Sequence, residues 1–218
     1  MFTLNLKKES SFSLNMNTQS PPQEEPVAIR TEIRIPKSRI AVLIGSEGQT
    51  KKDVESATKC TLEIDSKEGD VGIEGEDGLN CFMAKDIVRA IGRGFNPEFA
   101  LLLTKPEYSL EVIDLSEGFK SKNALLRIKG RVIGSKGKTR TVLEKTMQVR
   151  ISVFGKTISI IGEVERVMAC KQAIEMILDG SPHSSVYRWL EKKEKAFAQQ
   201  DMLGSTVPLK DEYQKYVE

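Results

Sequence analysis

Apolar residues recur along the chain with two periods, and the switches between them lay out the elements. In "IRTEIRIP", Ile29, Ile33 and Ile35 share one face of an alternating strand that Pro36 closes. "KSRIAVLIG" predicts a short helix running into Gly45, and "QTKKDVESATK" a second helix with Val54 and Ala57 spaced along one side. "CTLEID" and "VGIEG" predict strands around a turn at "SKEGD". "GLNCFMAKDIVRAIGRG" then places Cys81, Ala84, Ile87, Val88 and Ile91 on one helical stripe, with glycines beyond its end.

The same order recurs. "YSLEVIDL" predicts a strand, "SKNALLRIKGRVIG" a helix into Gly134, and "KTRTVLEKTM" the helix after the turn. "QVRISVF" and "TISIIG" are strands around Gly155 and Lys156. "EVERVMACKQAIEMILDG" carries Val167, Cys170, Ala173, Ile174 and Ile177 inward and ends at Gly180. Leu62 and Ile64 correspond to Ile151 and Val153, and Gly75 to Gly162. The offset drifts from 89 to 86 residues, a loss placed in the strand–strand turn, where shortening is cheap. Self-similarity over about 60 residues predicts two copies of one β-α-turn-α-β-β-α domain, hence an α+β fold.

The expected division is a disordered tail over residues 1–27, a first domain over 28–94, a connector over 95–107, a second domain over 108–180, and a C-terminal helix and tail over 181–218. The tail prediction rests on a Ser-, Asn-, Gln- and Pro-rich opening with little to bury. Phe95 and Phe99 are expected to pack between the domains, and Tyr187 and Trp189 to dock the last helix. "STVPLKDEYQKYVE" stays open between a flexible end and a partner hook.

Both copies carry a Gly-x-x-Gly turn between their first two helices: "IGSEGQTK" over Ile44 to Lys51 and "IGSKGKTR" over Ile133 to Arg140. Glycine allows a sharp bend and a close approach, and the next helix's N-terminus offers amides and partial positive charge that suit a phosphate. The surrounding charge differs. Residues 127–150 hold Arg127, Lys129, Arg131, Lys136, Lys138, Arg140, Lys145 and Arg150 against Glu144 alone, a balance of +7. The equivalent residues 38–61 balance at +1, and Glu47 lies inside their turn. The second copy is therefore the expected polyanion grip, which a net charge of +2 over the whole chain conceals.

Other chemistries find little support. A phosphate-binding G-x-x-x-x-G-K-[ST] loop needs glycine where Val132 stands, and it follows a strand rather than a helix. Three separated cysteines and a single histidine, His183, argue against a zinc site and for reduced, buried thiols. No enzyme activity, cofactor or metal is expected. No apolar run approaches the roughly 20 residues that span a membrane, and no signal peptide is evident. The expected location is the cytoplasm.

The β-α-GxxG-α-β-β-α order with apolar flanks resembles the type I (eukaryotic) K-homology, or KH, domain. That resemblance covers residues 29–180 and implies, for each copy, a three-stranded antiparallel sheet covered by helices on one face. "RIKGRVIGSKGKTRTVLEKTMQVRISVFGKTISIIG", followed by "MACKQAIEMILDGSPHSSVYRWL", resembles the ribosome-assembly KH proteins called partner of Nob-one, and "GRGFNPEFALLL" resembles their connector. A regular turn in both copies, without the longer eukaryotic extension, fits an archaeal member. The family clamps the backbone of about four nucleotides at the turn, with bases in an apolar groove. The resemblance implies binding of single-stranded RNA near the 3′ end of small-subunit ribosomal RNA and assistance to its 3′ maturation. It further implies contact with the Nob-one endonuclease and with the α subunit of translation initiation factor two, by a monomer. The alternative is a general single-stranded RNA-binding protein in mRNA or exosome-linked metabolism.

By position, the implied RNA-binding residues are Ile133, Gly134, Ser135, Lys136 and Gly137 in the turn. Val132 adds to the groove, Lys138 and Arg140 lie just after the turn, and Arg127 and Arg131 lie four apart on the helix before it. Ile151 and Val153 either support bases or are plain core. The weaker first-copy set is Arg39, Ile44, Gly45, Ser46, Gly48 and Lys51, with Glu47 opposing phosphate.

Overall fold

A computed structural model describes residues 29–116, 118–119 and 121–204. The expected N-terminal tail and the final "STVPLKDEYQKYVE" lie outside the described residues. The first copy comprises β1 (Ile29–Arg34), α1 (Lys37–Ile44), α2 (Gln49–Thr58), β2 (Thr61–Ile64), β3 (Asp70–Gly75) and α3 (Gly78–Gly92). A connector follows, with α4 (Pro97–Ala100) and a 3-10 turn over Leu101–Thr104. The second copy comprises β4 (Tyr108–Asp114), α5 (Lys122–Ile133), α6 (Lys138–Met147), β5 (Arg150–Phe154), β6 (Thr157–Glu163) and α7 (Val164–Leu178), and α8 (His183–Gly204) ends the described chain.

Each copy builds a three-stranded antiparallel sheet with its third strand in the middle, in the orders β1-β3-β2 and β4-β6-β5. The predicted stripes are the cores. Cys81, Ala84, Ile87, Val88 and Ile91 of α3 pack with Leu43, Leu62 and Ile73, and Cys170, Ala173, Ile174 and Ile177 of α7 pack with Val132, Leu143 and Ile151. Ala57 is exposed, contrary to its predicted side; the next residue, Thr58, is buried and donates its hydroxyl to the Val54 carbonyl at 2.8 Å. Local sequence sets the ends. Asp77 caps α3 by accepting from the Leu79 amide at 3.1 Å, and Ser121 caps α5 by accepting from Ala124 at 3.1 Å. A glutamate ties each post-turn helix to the edge strand it precedes: Glu55 accepts from the Leu62 amide at 2.7 Å, and Glu144, 89 residues on, accepts from Ile151 at 2.8 Å.

The two sheets differ on their outer faces. The first is solvated and charged, with Arg30 paired to Glu63 at 3.1 Å and Arg34 to Asp70 at 2.6 Å, exposed contacts of small net worth. The second is covered. Ile161 of β6 joins the first copy's core, with Tyr108 and Leu110 of β4 packed against it. Ser152 donates to the Arg93 carbonyl at 2.8 Å, and the Arg150 guanidinium lies 4.7 Å from the Phe99 ring centroid. Phe95 is buried in the same region. The aromatic pair of the connector thus packs between the copies, on the sheet face that the helices leave open.

Candidate nucleic-acid interface

Helix α5 ends where Gly134 takes φ +74° and donates its amide to the Gly130 carbonyl at 2.8 Å. A Cβ there would lie 2.3 Å from Thr139 Oγ1 and 2.7 Å from the Thr139 amide nitrogen, so glycine lets the first residues of α6 close against the bend. Ser135–Gly137 form a 3-10 turn with Lys136 at φ +50° and Gly137 at φ +76°. The Gly137 amide bonds the Gly134 carbonyl at 3.2 Å, and the Lys138 amide bonds that of Ser135. Two of the amides expected to greet a phosphate are thus consumed. Among the described residues, the amides of Ser135 and Lys136 are left outside the main-chain hydrogen bonding. Together with the positive end of α6 they form a small donor site at the surface.

The side chains around it sort into two groups. Ser135, Lys136, Lys138, Arg140 and Arg127 are exposed, and Ile133 is half-buried. The others are turned to structural work. Val132 is fully buried and belongs to the core, so it lines no groove; Ile151 is core as well, while Val153 is half-buried. Arg131 is half-buried and donates to the Ser181 carbonyl at 2.7 Å, so its one-face relation to Arg127 does not bring two guanidinium groups to the same surface. Lys129 donates to the Gly155 carbonyl, and Arg150, while exposed, lies over the Phe99 ring at the domain contact. Arg140 pairs with Glu144 at 3.1 Å while remaining exposed. The basic window is therefore narrower than its count: Lys136 and Lys138 stand at the turn, flanked by Arg127 and Arg140.

The first copy repeats the backbone closely. Gly45 has φ +73°, with its missing Cβ 2.3 Å from Thr50 Oγ1; Glu47 has φ +53° and Gly48 φ +76°. Ser46 is exposed and Ile44 half-buried. Its charges differ. Glu47 holds the place of Lys136, and Gln49, in the place of Lys138, donates to Asp53 at 2.6 Å. Lys51 pairs with Glu55 at 3.7 Å. Arg39, a predicted member of the weaker set, closes the end of α3 by donating to the Ile91 carbonyl at 2.8 Å and the Phe95 carbonyl at 2.6 Å, and burial draws its pKa below the ordinary value. It holds the fold together rather than facing the turn.

Sequence reasoning overlooked what Thr139 and Glu144 do and the bond that Tyr187 makes. The 89-residue repeat carried a signal for the first two, since Thr50 and Glu55 occupy the matching places. Tyr187, bonded to Thr139 at 3.0 Å, comes from outside the repeat and left no local signal of that contact. Among the described residues, no group of three or more His, Cys, Asp or Glu side chains could hold a metal ion, and no helix is long and apolar enough to cross a membrane. Burial raises the Cys60 thiol to about 11 and the Cys170 thiol to about 12, far from nucleophilic reach.

Comparison with known proteins places this geometry. Residues 109–195 match the second KH domain of the PNO1 type, a eukaryotic-type (type I) KH domain, and residues 30–90 match the general KH domain. A KH domain-containing protein of Methanocaldococcus jannaschii is 47% identical over 165 residues, covering 74% of this chain and 72% of that protein. The pre-rRNA-processing protein pno1 of Emericella nidulans is 25% identical over 184 residues, covering 79% and 71%. The Dim2p chain in the crystal structure of the a/eIF2alpha–aDim2p–rRNA complex from Pyrococcus horikoshii superposes with a TM-score of 0.74 at 46% identity, covering 79% of this chain and 98% of that one. KH-domain proteins of the PNO1 family are RNA-binding proteins and not enzymes. The chain belongs to the archaeal branch of the partner-of-Nob-one (PNO1) family of tandem KH proteins.

Proposed function

We propose that the chain is an RNA-binding assembly factor for the small ribosomal subunit. The second Gly-x-x-Gly turn holds single-stranded RNA near the 3′ end of small-subunit rRNA, and the bound protein assists 3′-end maturation without catalysis of its own. The observation that carries this reading is the pair of open amides at Ser135 and Lys136, flanked by exposed Lys136 and Lys138 and by the start of α6. The relatives lend it context, since one is named for pre-rRNA processing and another is bound to rRNA and the α subunit of an initiation factor. The RNA-contacting residues on this reading are Ile133, Gly134, Ser135, Lys136, Gly137, Lys138 and Arg140, with Arg127 beside them. The first turn, with Glu47, contributes weakly through Ser46 and Gly48. The α subunit of initiation factor two and the Nob-one endonuclease are the proposed partners of a monomeric, cytoplasmic protein.

Crosslinking the protein to RNA in its own cells and mapping the sites tests the assignment. Crosslinks clustered at the 3′ end of small-subunit rRNA support it. Crosslinks spread over messenger RNA contradict it and favour a general RNA-binding role.

A further inference from the structure

Three hydrogen bonds join the start of α8 and the residues just before it to both helices that meet at the second turn. The Tyr187 hydroxyl lies 3.0 Å from Thr139 Oγ1. Thr139 is buried and is the same side chain that fills the space beneath Gly134. His183 Nε2 lies 2.9 Å from the Arg131 carbonyl oxygen, which makes it the donor, and the Arg131 guanidinium donates to the Ser181 carbonyl at 2.7 Å. Val186 and Leu190, both fully buried, fix the register of α8 against the core.

The first copy lacks this arrangement. At the 86-residue offset Phe95 corresponds to Ser181, and both carbonyls accept from an arginine of the helix before the turn, Arg39 in one copy and Arg131 in the other. The shared tie secures the incoming helix. The tie to the outgoing helix exists only in the second copy, among the described residues. Thr50 sits beneath Gly45 as Thr139 does beneath Gly134, yet among the described residues its hydroxyl bonds no other helix. The copy with the cationic turn is the copy whose turn is braced on both sides.

Three of the four residues from Gly134 to Gly137 have positive φ, and Lys136, the non-glycine among them, is held there by its surroundings; the first turn takes the same angles, so the tie to α8 adds rigidity to the bend rather than setting it. A turn already fixed loses less conformational freedom when a strand binds. We propose that Tyr187 and His183 are positioning residues for the RNA-binding turn, and that α8 is a strap holding Gly134–Gly137 in the conformation that receives the phosphates. This rests on the RNA-binding reading above.

The test uses the full chain and a single-stranded oligoribonucleotide with the 3′-terminal sequence of small-subunit rRNA. Tyr187→Phe keeps the ring and removes the hydroxyl, and Thr139→Val removes its partner. Each should weaken binding about 2- to 10-fold, the range one hydrogen bond's net contribution allows. The double variant should bind no more weakly than the weaker single one, and Thr139→Ser should bind as the unaltered chain does. The salt dependence should stay unchanged, because no cation is removed. Amide exchange at Gly134 and Gly137, whose amides are hydrogen-bonded at the bend, should quicken. Equal affinity of Tyr187→Phe and the unaltered chain overturns the strap alone. So does a weakening that comes with a changed salt slope, or a double variant in which the two effects add. Failure of the unaltered chain to bind this RNA overturns the RNA reading, and the strap with it.

Discussion

A side chain at Gly134 would meet the hydroxyl and main chain of Thr139, whereas one at Gly137 would meet nothing within 4 Å. Both residues have positive φ, which costs an L side chain about 1–2 kcal/mol. Gly137→Ala should therefore lower stability by about that amount and leave α6 in place. Gly134→Ala adds overlap with backbone and should cost distinctly more, which thermal melts of the two variants will order. The three cysteines give a second check. Burial raises Cys60 and Cys170 from an ordinary 9.0 to about 11 and about 12, so the unfolded chain ionises them first. Their contribution is intact below about pH 9 and falls as the pH climbs toward those values. At pH 8 a thiol reagent should label Cys60 and Cys170 only after denaturant unfolds the chain. The glycines and the buried thiols were legible from their spacing. The neighbour that makes Gly134 obligatory was not, because Thr139 acts through a contact that a pattern of apolar positions does not encode.

Each post-turn helix is fastened by a glutamate that looks, in the second copy's sequence, like the lone acid of a basic run. Glu144 accepts from the Ile151 amide and is mostly buried beside Arg140. Glu144→Ala should leave that amide unpaired and lower stability by about 1–3 kcal/mol in urea unfolding. Glu55→Ala should act similarly through Leu62, since the two bonds are equivalent. At this scale periodicity located the helices and strands of both copies but blurred the facing of individual positions. Val132 lies inward and Ala57 outward. The charge balance of residues 127–150 also overstated the surface, because Lys129 and Arg131 bond carbonyls of neighbouring segments. Such bonds join residues 26 and 50 positions apart and are invisible to a local window.

The two copies make one body. Ile161, Leu110 and Tyr108 of the second pack into the first core, and Ser152 and Arg150 reach the segment that follows α3. Calorimetry should accordingly show a single transition with equal calorimetric and van't Hoff enthalpies; two resolved transitions would contradict the shared core. The repeat, the connector and its aromatic pair were readable from sequence. The closing of the second sheet's outer face was not legible, because "TISIIG" alternates Ile158, Ser159 and Ile160 as a half-solvated strand does, yet its strand is buried on both sides. Tertiary docking, rather than local pattern, decides which copy keeps a solvated sheet.

The central claim is that the second turn, far more than the first, grips the RNA backbone. Titration of a single-stranded rRNA 3′-end oligonucleotide across a salt series tests it most directly. Lys136→Glu with Lys138→Glu should weaken binding strongly and flatten the slope of log K against log salt by about 0.7 for each phosphate the protein no longer neutralises. Gln49→Glu, the matching change in the first copy, should leave both nearly unchanged. Equal weakening by the two sets, or tighter binding of duplex than of single strand, would contradict the account.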